Sequence, residues 1–81
     1  MEKTVKITST AGLHADLAAK IVQATSKYDV DIRLVYAHVT IDAKSILGLM
    51  SLAVPQGENV NLIAIGEKAD LAIADIEKIL G

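Results

Sequence analysis

Cysteine, tryptophan and phenylalanine are absent from this sequence, and proline occurs once. Without cysteine there is no disulfide framework and no thiolate-ligated zinc site, and a thiol-free chain fits a reducing compartment. Two tyrosines are the whole aromatic complement, so a core must be packed from Ile, Leu, Val and Ala. The charges are scattered and sum to −2. With neither a basic stripe nor an aromatic platform, direct nucleic-acid binding is not expected. The opening MEKTVKIT has no apolar segment of the secretory-signal kind. No apolar run approaches the length of a bilayer span, so membrane insertion is not expected either. These absences predict a cytoplasmic protein.

What is present is 81 residues, 52% of them hydrophobic, which predicts a single domain over residues 1–81 with a modest core. Glu2 to Thr8 alternates, with Val5 and Ile7 on one face and Thr4, Lys6 and Thr8 on the other, as in a half-buried strand. Thr10-Ala11-Gly12 breaks it. From about Ala15 to Lys27 the period is helical, with Ala18, Ile21, Val22 and Thr25 on one face. Asp31 to Tyr36 alternates again and leads through Ala37-His38 into Val39-Thr40-Ile41. This reads as a hairpin, although its turn lacks Asn-Gly chemistry.

Ser45 to Leu52 reads as a short helix capped by Ser45, and Pro55-Gln56-Gly57 as a turn. Val60 to Ile65 is apolar enough for a central strand. Lys68 to Leu80 closes with a helix whose inner face is Ala69, Ala72, Ile73, Ile76 and Leu80, with Asp70 and Lys78 placed to suit its dipole. The order βαββαβα fits an α+β domain, an antiparallel sheet with helices on one face. Periodicity leaves the strand order open.

Two segments could carry chemistry. In Thr10-Ala11-Gly12-Leu13-His14-Ala15-Asp16 a histidine stands where a loop enters a helix. Free N–H groups and the positive dipole end favour an anion there. A neutral imidazole has a free ring nitrogen that can act as a nucleophile. The plain alternative is a polar loop residue. In the second segment, Ser45 is by default an N-cap worth about 1 kcal/mol, yet a phosphate on it would also sit at a helix N-terminus and be tolerated. Ile46, Leu47, Leu49, Met50 and Leu52 cannot all point inward from so short an element. They form either a docking patch or a surface covered by Val54-Pro55. No ligand spacing for a metal is visible around His14 and His38, and nothing calls for a cofactor.

Taken together, these segments resemble the HPr family, the histidine-containing phosphocarriers of the bacterial sugar phosphotransferase system. Ala11-Gly12-Leu13-His14-Ala15 resembles the family's active-site motif, and Val22-Gln23 with Ala24-Thr25-Ser26-Lys27-Tyr28 its first helix. Lys44-Ser45-Ile46-Leu47-Gly48-Leu49-Met50-Ser51-Leu52 resembles the regulatory-serine segment of the Firmicute branch. The resemblance implies an open-faced β-sandwich with a four-stranded antiparallel sheet and three helices on one face. It implies a carrier and adaptor rather than a stand-alone catalyst, with His14 receiving phosphate from Enzyme I and passing it to EIIA domains. It further implies that Ser45 is the target of an HPr kinase/phosphorylase, and that the modified form partners a catabolite control repressor protein. Gly12, Ala15, Asp16 and Leu17 would then neighbour the phosphate. Ile46, Leu47, Leu49 and Met50 would be the partner-docking residues.

One departure stands out. The family motif continues from His-Ala with Arg-Pro, whereas Asp16 and Leu17 occupy those positions here. The arginine is a cationic clamp on the phosphoryl group, and Asp16 reverses its charge. Two unit charges about 4 Å apart interact by about 4 kcal/mol near a protein surface. Asp16 also suits the helix N-terminus and stands four residues before Lys20, a favourable pairing distance. Three functions follow as candidates: a phosphocarrier working through His14 and regulated at Ser45, a Crh-like catabolite-repression adaptor working only through Ser45, and a non-phosphorylated α+β binding domain.

Overall fold

The structure is a computed structural model that describes residues 1–80; Gly81, the end of the expected domain, lies outside the described residues. The described residues form β1 (Glu2–Lys6), α1 (Ala15–Ser26), β2 (Asp31–Tyr36), β3 (Val39–Asp42), α2 (Ile46–Leu52), β4 (Asn59–Ile65) and α3 (Ala69–Leu80). All strand pairings are antiparallel, and the order across the sheet is β1-β4-β2-β3. That order, which periodicity left open, puts β4 between β1 and β2.

One face of the sheet carries the core. Val5, Ile32, Leu34, Val60, Leu62 and Ala64 are buried beneath α1 and α3. Leu17, Ala18, Ile21 and Thr25 of α1 meet them, as do the five expected inner residues of α3. Thr25 is polar and fully buried, and its hydroxyl donates to the Val22 carbonyl, so no unmet donor is left in the core. The opposite face is open. β4 is central, but its apolar run does not reflect burial on both sides: Ile65 is 65% exposed. The alternation of an antiparallel sheet with one wet face governs it instead.

The β2–β3 hairpin closes through Ala37 and His38, with φ of 51° and 68°. Two successive positive φ values are what a two-residue turn between right-twisted strands requires. The sequence meets that demand without glycine or asparagine. The expected ion pair between Asp16 and Lys20 is not formed among the described residues; the pairs present are Lys3–Glu77, Lys27–Asp75 and Arg33–Asp31. Both side chains are exposed, and in water such a pair is worth too little to hold two long side chains together.

Candidate functional site

The loop from Ser9 to His14 is held by its backbone. Gly12 N–H donates to the Ser9 carbonyl at 3.0 Å, and Leu13 N–H donates to the Val54 carbonyl at 2.8 Å. Gly12 has φ of +70° and packs so closely that a Cβ there would lie 2.3 Å from the Val54 oxygen. Only glycine fits both conditions. The chain then enters α1 with His14 as N-cap in an extended conformation.

The imidazole itself performs the capping. Nδ1 of His14 accepts from the Asp16 N–H at 3.2 Å, while the His14 carbonyl accepts from Ala18 N–H at 2.9 Å. Nδ1 therefore carries a lone pair aimed at the helix N-terminus. The ring is partly exposed. A group attached at Nδ1 would replace that hydrogen bond and meet the N–H groups of the first turn, which have no acceptor within the helix.

Of the expected neighbours, Gly12 is buried, Ala15 and Asp16 are exposed, and Leu17 is buried. Its side chain joins the core, because the third helical position of α1 already faces the sheet. Only its backbone remains at the helix end.

Ser45 caps α2 as its sequence suggests: its Oγ accepts from Gly48 N–H at 3.1 Å. The turn before it is tied by Lys44 N–H donating to Oδ1 of Asp42 at 2.9 Å. Lys44 Nζ reaches across to the Tyr28 carbonyl at 2.9 Å. Of the four expected docking residues, Leu47 is 80% exposed, Ile46 42% and Met50 43%, but Leu49 is fully buried. A helix of about two turns lying on a domain must bury one stripe, and Leu49 is on it. Val54 does not cover the others; it is buried itself.

The two segments meet in space. A cleft of about 330 Å³ is lined by His14, Leu13, Met50, Ala53, Val54 and Pro55. Met50 thus joins the exposed face of α2 to the imidazole. The lining by Ala53 and Pro55 had no signal in the sequence beyond the Pro-Gln-Gly turn. Ala53 ends α2 in the left-handed conformation, with φ of 48°, and this turns the Val54 carbonyl back toward Leu13. A cleft of similar size, about 350 Å³, lies between Lys27, Asp29, Glu67 and Lys68. It has neither a histidine nor a serine among those residues and no connection to His14. No group of three or more metal-ligating side chains gathers among the described residues, and no helix there is long and apolar enough to cross a membrane.

The chain matches the family described as PTS HPr component phosphorylation site over residues 1–81. It belongs to the HPr family. It is 40% identical over 77 residues to the phosphocarrier protein HPr of Treponema pallidum, covering 95% of this chain and 88% of that one. The crystal structure of an HPr from Thermoanaerobacter tengcongensis superposes with a TM-score of 0.92 at 39% identity, over 99% of this chain and 90% of that one. Crh of Bacillus subtilis, in its solution structure, is 36% identical with a TM-score of 0.71, over 99% of this chain and 95% of that one. The open-faced sandwich is therefore the HPr fold. HPr proteins are phosphocarriers of the sugar phosphotransferase system, not stand-alone catalysts, and they interact with its enzymes such as Enzyme I and EIIA.

Proposed function

We propose that His14 is the phosphoacceptor of this HPr protein, with Nδ1 as the atom that bonds phosphorus. The observation that supports this most directly is the hydrogen bond from Asp16 N–H to Nδ1. It orients an unprotonated nitrogen at the positive end of α1, where a phosphoryl group finds N–H donors and a favourable dipole. The lone pair forms the N–P bond as the bond between phosphorus and Enzyme I breaks, and its electron pair leaves with the enzyme. The phosphoryl group then passes to an EIIA domain in the cytoplasm. Ser45 is the regulatory site, a target of an HPr kinase/phosphorylase, and its phosphorylated form serves a catabolite control repressor protein. Ile46, Leu47 and Met50 form the docking patch beside both sites.

A second reading is favoured by one observation. Asp16 is exposed beside His14 with no cation paired to it among the described residues, which suits a Crh-like adaptor acting through Ser45 alone. Incubation with Enzyme I and labelled phosphoenolpyruvate separates the two. Label that His14→Ala abolishes and that acid removes supports the carrier, because phosphohistidine is acid-labile and phosphoserine is not. Absence of such label supports the adaptor.

A further inference from the structure

The candidate site has little positive charge of its own. Asp16 is exposed, and no hydrogen bond or ion pair engages its carboxylate among the described residues. α2 contains no charged residue. Lys44, just before it, has its ammonium committed to the Tyr28 carbonyl. Lys20 stands one turn beyond Asp16 without pairing to it. Once His14 is loaded, a phosphoryl group and a carboxylate share a helix end whose dipole offers only about half an elementary charge. Transfer of phosphoryl groups depends chiefly on neutralising the charge they carry. No side-chain cation is paired with Asp16 among the described residues, and a docking protein can supply one.

We propose that the protein donating phosphate to His14 presents a lysine or arginine side chain to Asp16 while its own apolar surface covers Ile46, Leu47 and Met50. This rests on the reading of His14 as phosphoacceptor and specifies the partner that reading requires. Charge complementarity selects the occupant: Asp16 is an exposed negative charge two residues beyond His14, whose cleft Met50 also lines, so a basic group on the partner is attracted and an acidic one repelled. An arginine suits the place well, because its planar fork of N–H donors can serve the Asp16 carboxylate and a phosphoryl oxygen at once. Asp16 then positions the partner's cation over the reacting phosphorus. During transfer the Nδ1 lone pair forms the N–P bond, and the bond from phosphorus to the donor breaks with its electron pair. No proton has to leave Nδ1, and the Asp16 N–H that had donated to it turns to a phosphoryl oxygen.

The test compares two phosphoryl donors. One is the Enzyme I of the same organism with phosphoenolpyruvate. The other is phosphoramidate, a small donor with no docking surface. With Enzyme I, Asp16→Asn should lower kcat/KM for His14 labelling roughly tenfold and Asp16→Arg should lower it further. Both deficits should shrink as salt is raised. With phosphoramidate the same variants should label as fast as the parent or faster, which also shows that their sites are intact. Lys20→Ala should leave both rates unchanged. The proposal is overturned if Asp16→Arg matches or exceeds the parent with Enzyme I, or if Lys20→Ala slows phosphoramidate labelling, since the cation would then be supplied within this chain. No label at His14 from either donor would defeat the phosphoacceptor reading itself, and this proposal with it.

Discussion

The hydroxyl of Tyr28 donates to Oδ2 of Asp75 at 2.6 Å, tying the residue just beyond α1 to the outer side of α3. Lys27 completes the group, with its ammonium 3.3 Å from the same oxygen and 5.5 Å from the centre of the Tyr28 ring. The hydrogen bond from Tyr28, with help from Lys27, holds the Asp75 carboxyl below its ordinary value. The same bond, together with partial burial and the Asp75 charge, holds the Tyr28 phenol above its own.

The two shifts predict opposite pH limits. For Asp75 the folded value is depressed, so its contribution is present above the unfolded value of about 3.9 and is lost as pH falls through the lower folded one. For Tyr28 the folded value is raised, so its contribution is present below about 10 and is lost as pH rises through the folded one. Tyr28→Phe should therefore show a lower urea midpoint than the parent between pH 5 and 9, and the gap should narrow at both extremes. A gap independent of pH would show that the ring's packing, and not its hydroxyl, accounts for the difference.

Gly12→Ala should damage stability and site together. The added methyl group meets the Val54 oxygen, and the positive φ disfavours any side chain. Left-handed strain and overpacking together should cost about 2–4 kcal/mol. If the loop shifts to relieve the clash, His14 labelling falls even where the variant remains folded. Denaturant unfolding and labelling on one sample check both.

Leu49 and Leu47 are neighbours in one turn with opposite fates. Leu49→Ala should lose about 2–5 kcal/mol, whereas Leu47→Ala should stay within about 0.5 kcal/mol. In partner binding the order should reverse, with Leu47→Ala weakening capture by Enzyme I. Thermal unfolding and a binding titration give the two readings.

Ser45→Ala should cost about 1 kcal/mol through loss of the cap to Gly48. Phosphorylation of Ser45 should leave the unfolding midpoint nearly unchanged, because the added oxygens and charge lie at the helix N-terminus. It should weaken binding of a partner that presents acidic groups beside Ile46 and strengthen binding of one that presents basic groups there. A large drop in midpoint on phosphorylation would count against Ser45 as a regulatory site.

Where the sequence repeated a physical signal over several residues, the fold was legible. β2 spans Asp31–Tyr36 and α3 buries its five expected residues, because polar residues mark the outer face of each. α2 gives no such mark. Ser51 is its only polar side chain, and five apolar residues in seven leave sequence period too little contrast to separate Leu49 from Leu47. The inward turn of the Leu17 side chain was hidden for a related reason: its position in a motif says nothing about which way a helix presents its third residue. The clamp on the His14 loop was invisible for a deeper reason. It is made by the backbone of Leu13 and Val54, and backbone groups have no signature in residue type beyond the glycine that makes room for them.

The tether from Lys44 to Tyr28 has a geometric consequence. α1 is anchored ahead of its first turn where Leu13 N–H meets the Val54 carbonyl, and just beyond its last where Lys44 Nζ meets the Tyr28 carbonyl. Val54 follows α2 and Lys44 precedes it, so the two helices are braced against each other at both ends like the sides of a frame. His14 and Ser45 sit at separate corners of that frame. Their separation is thus a fixed dimension of the molecule, and a protein that touches both must be cut to the same gauge.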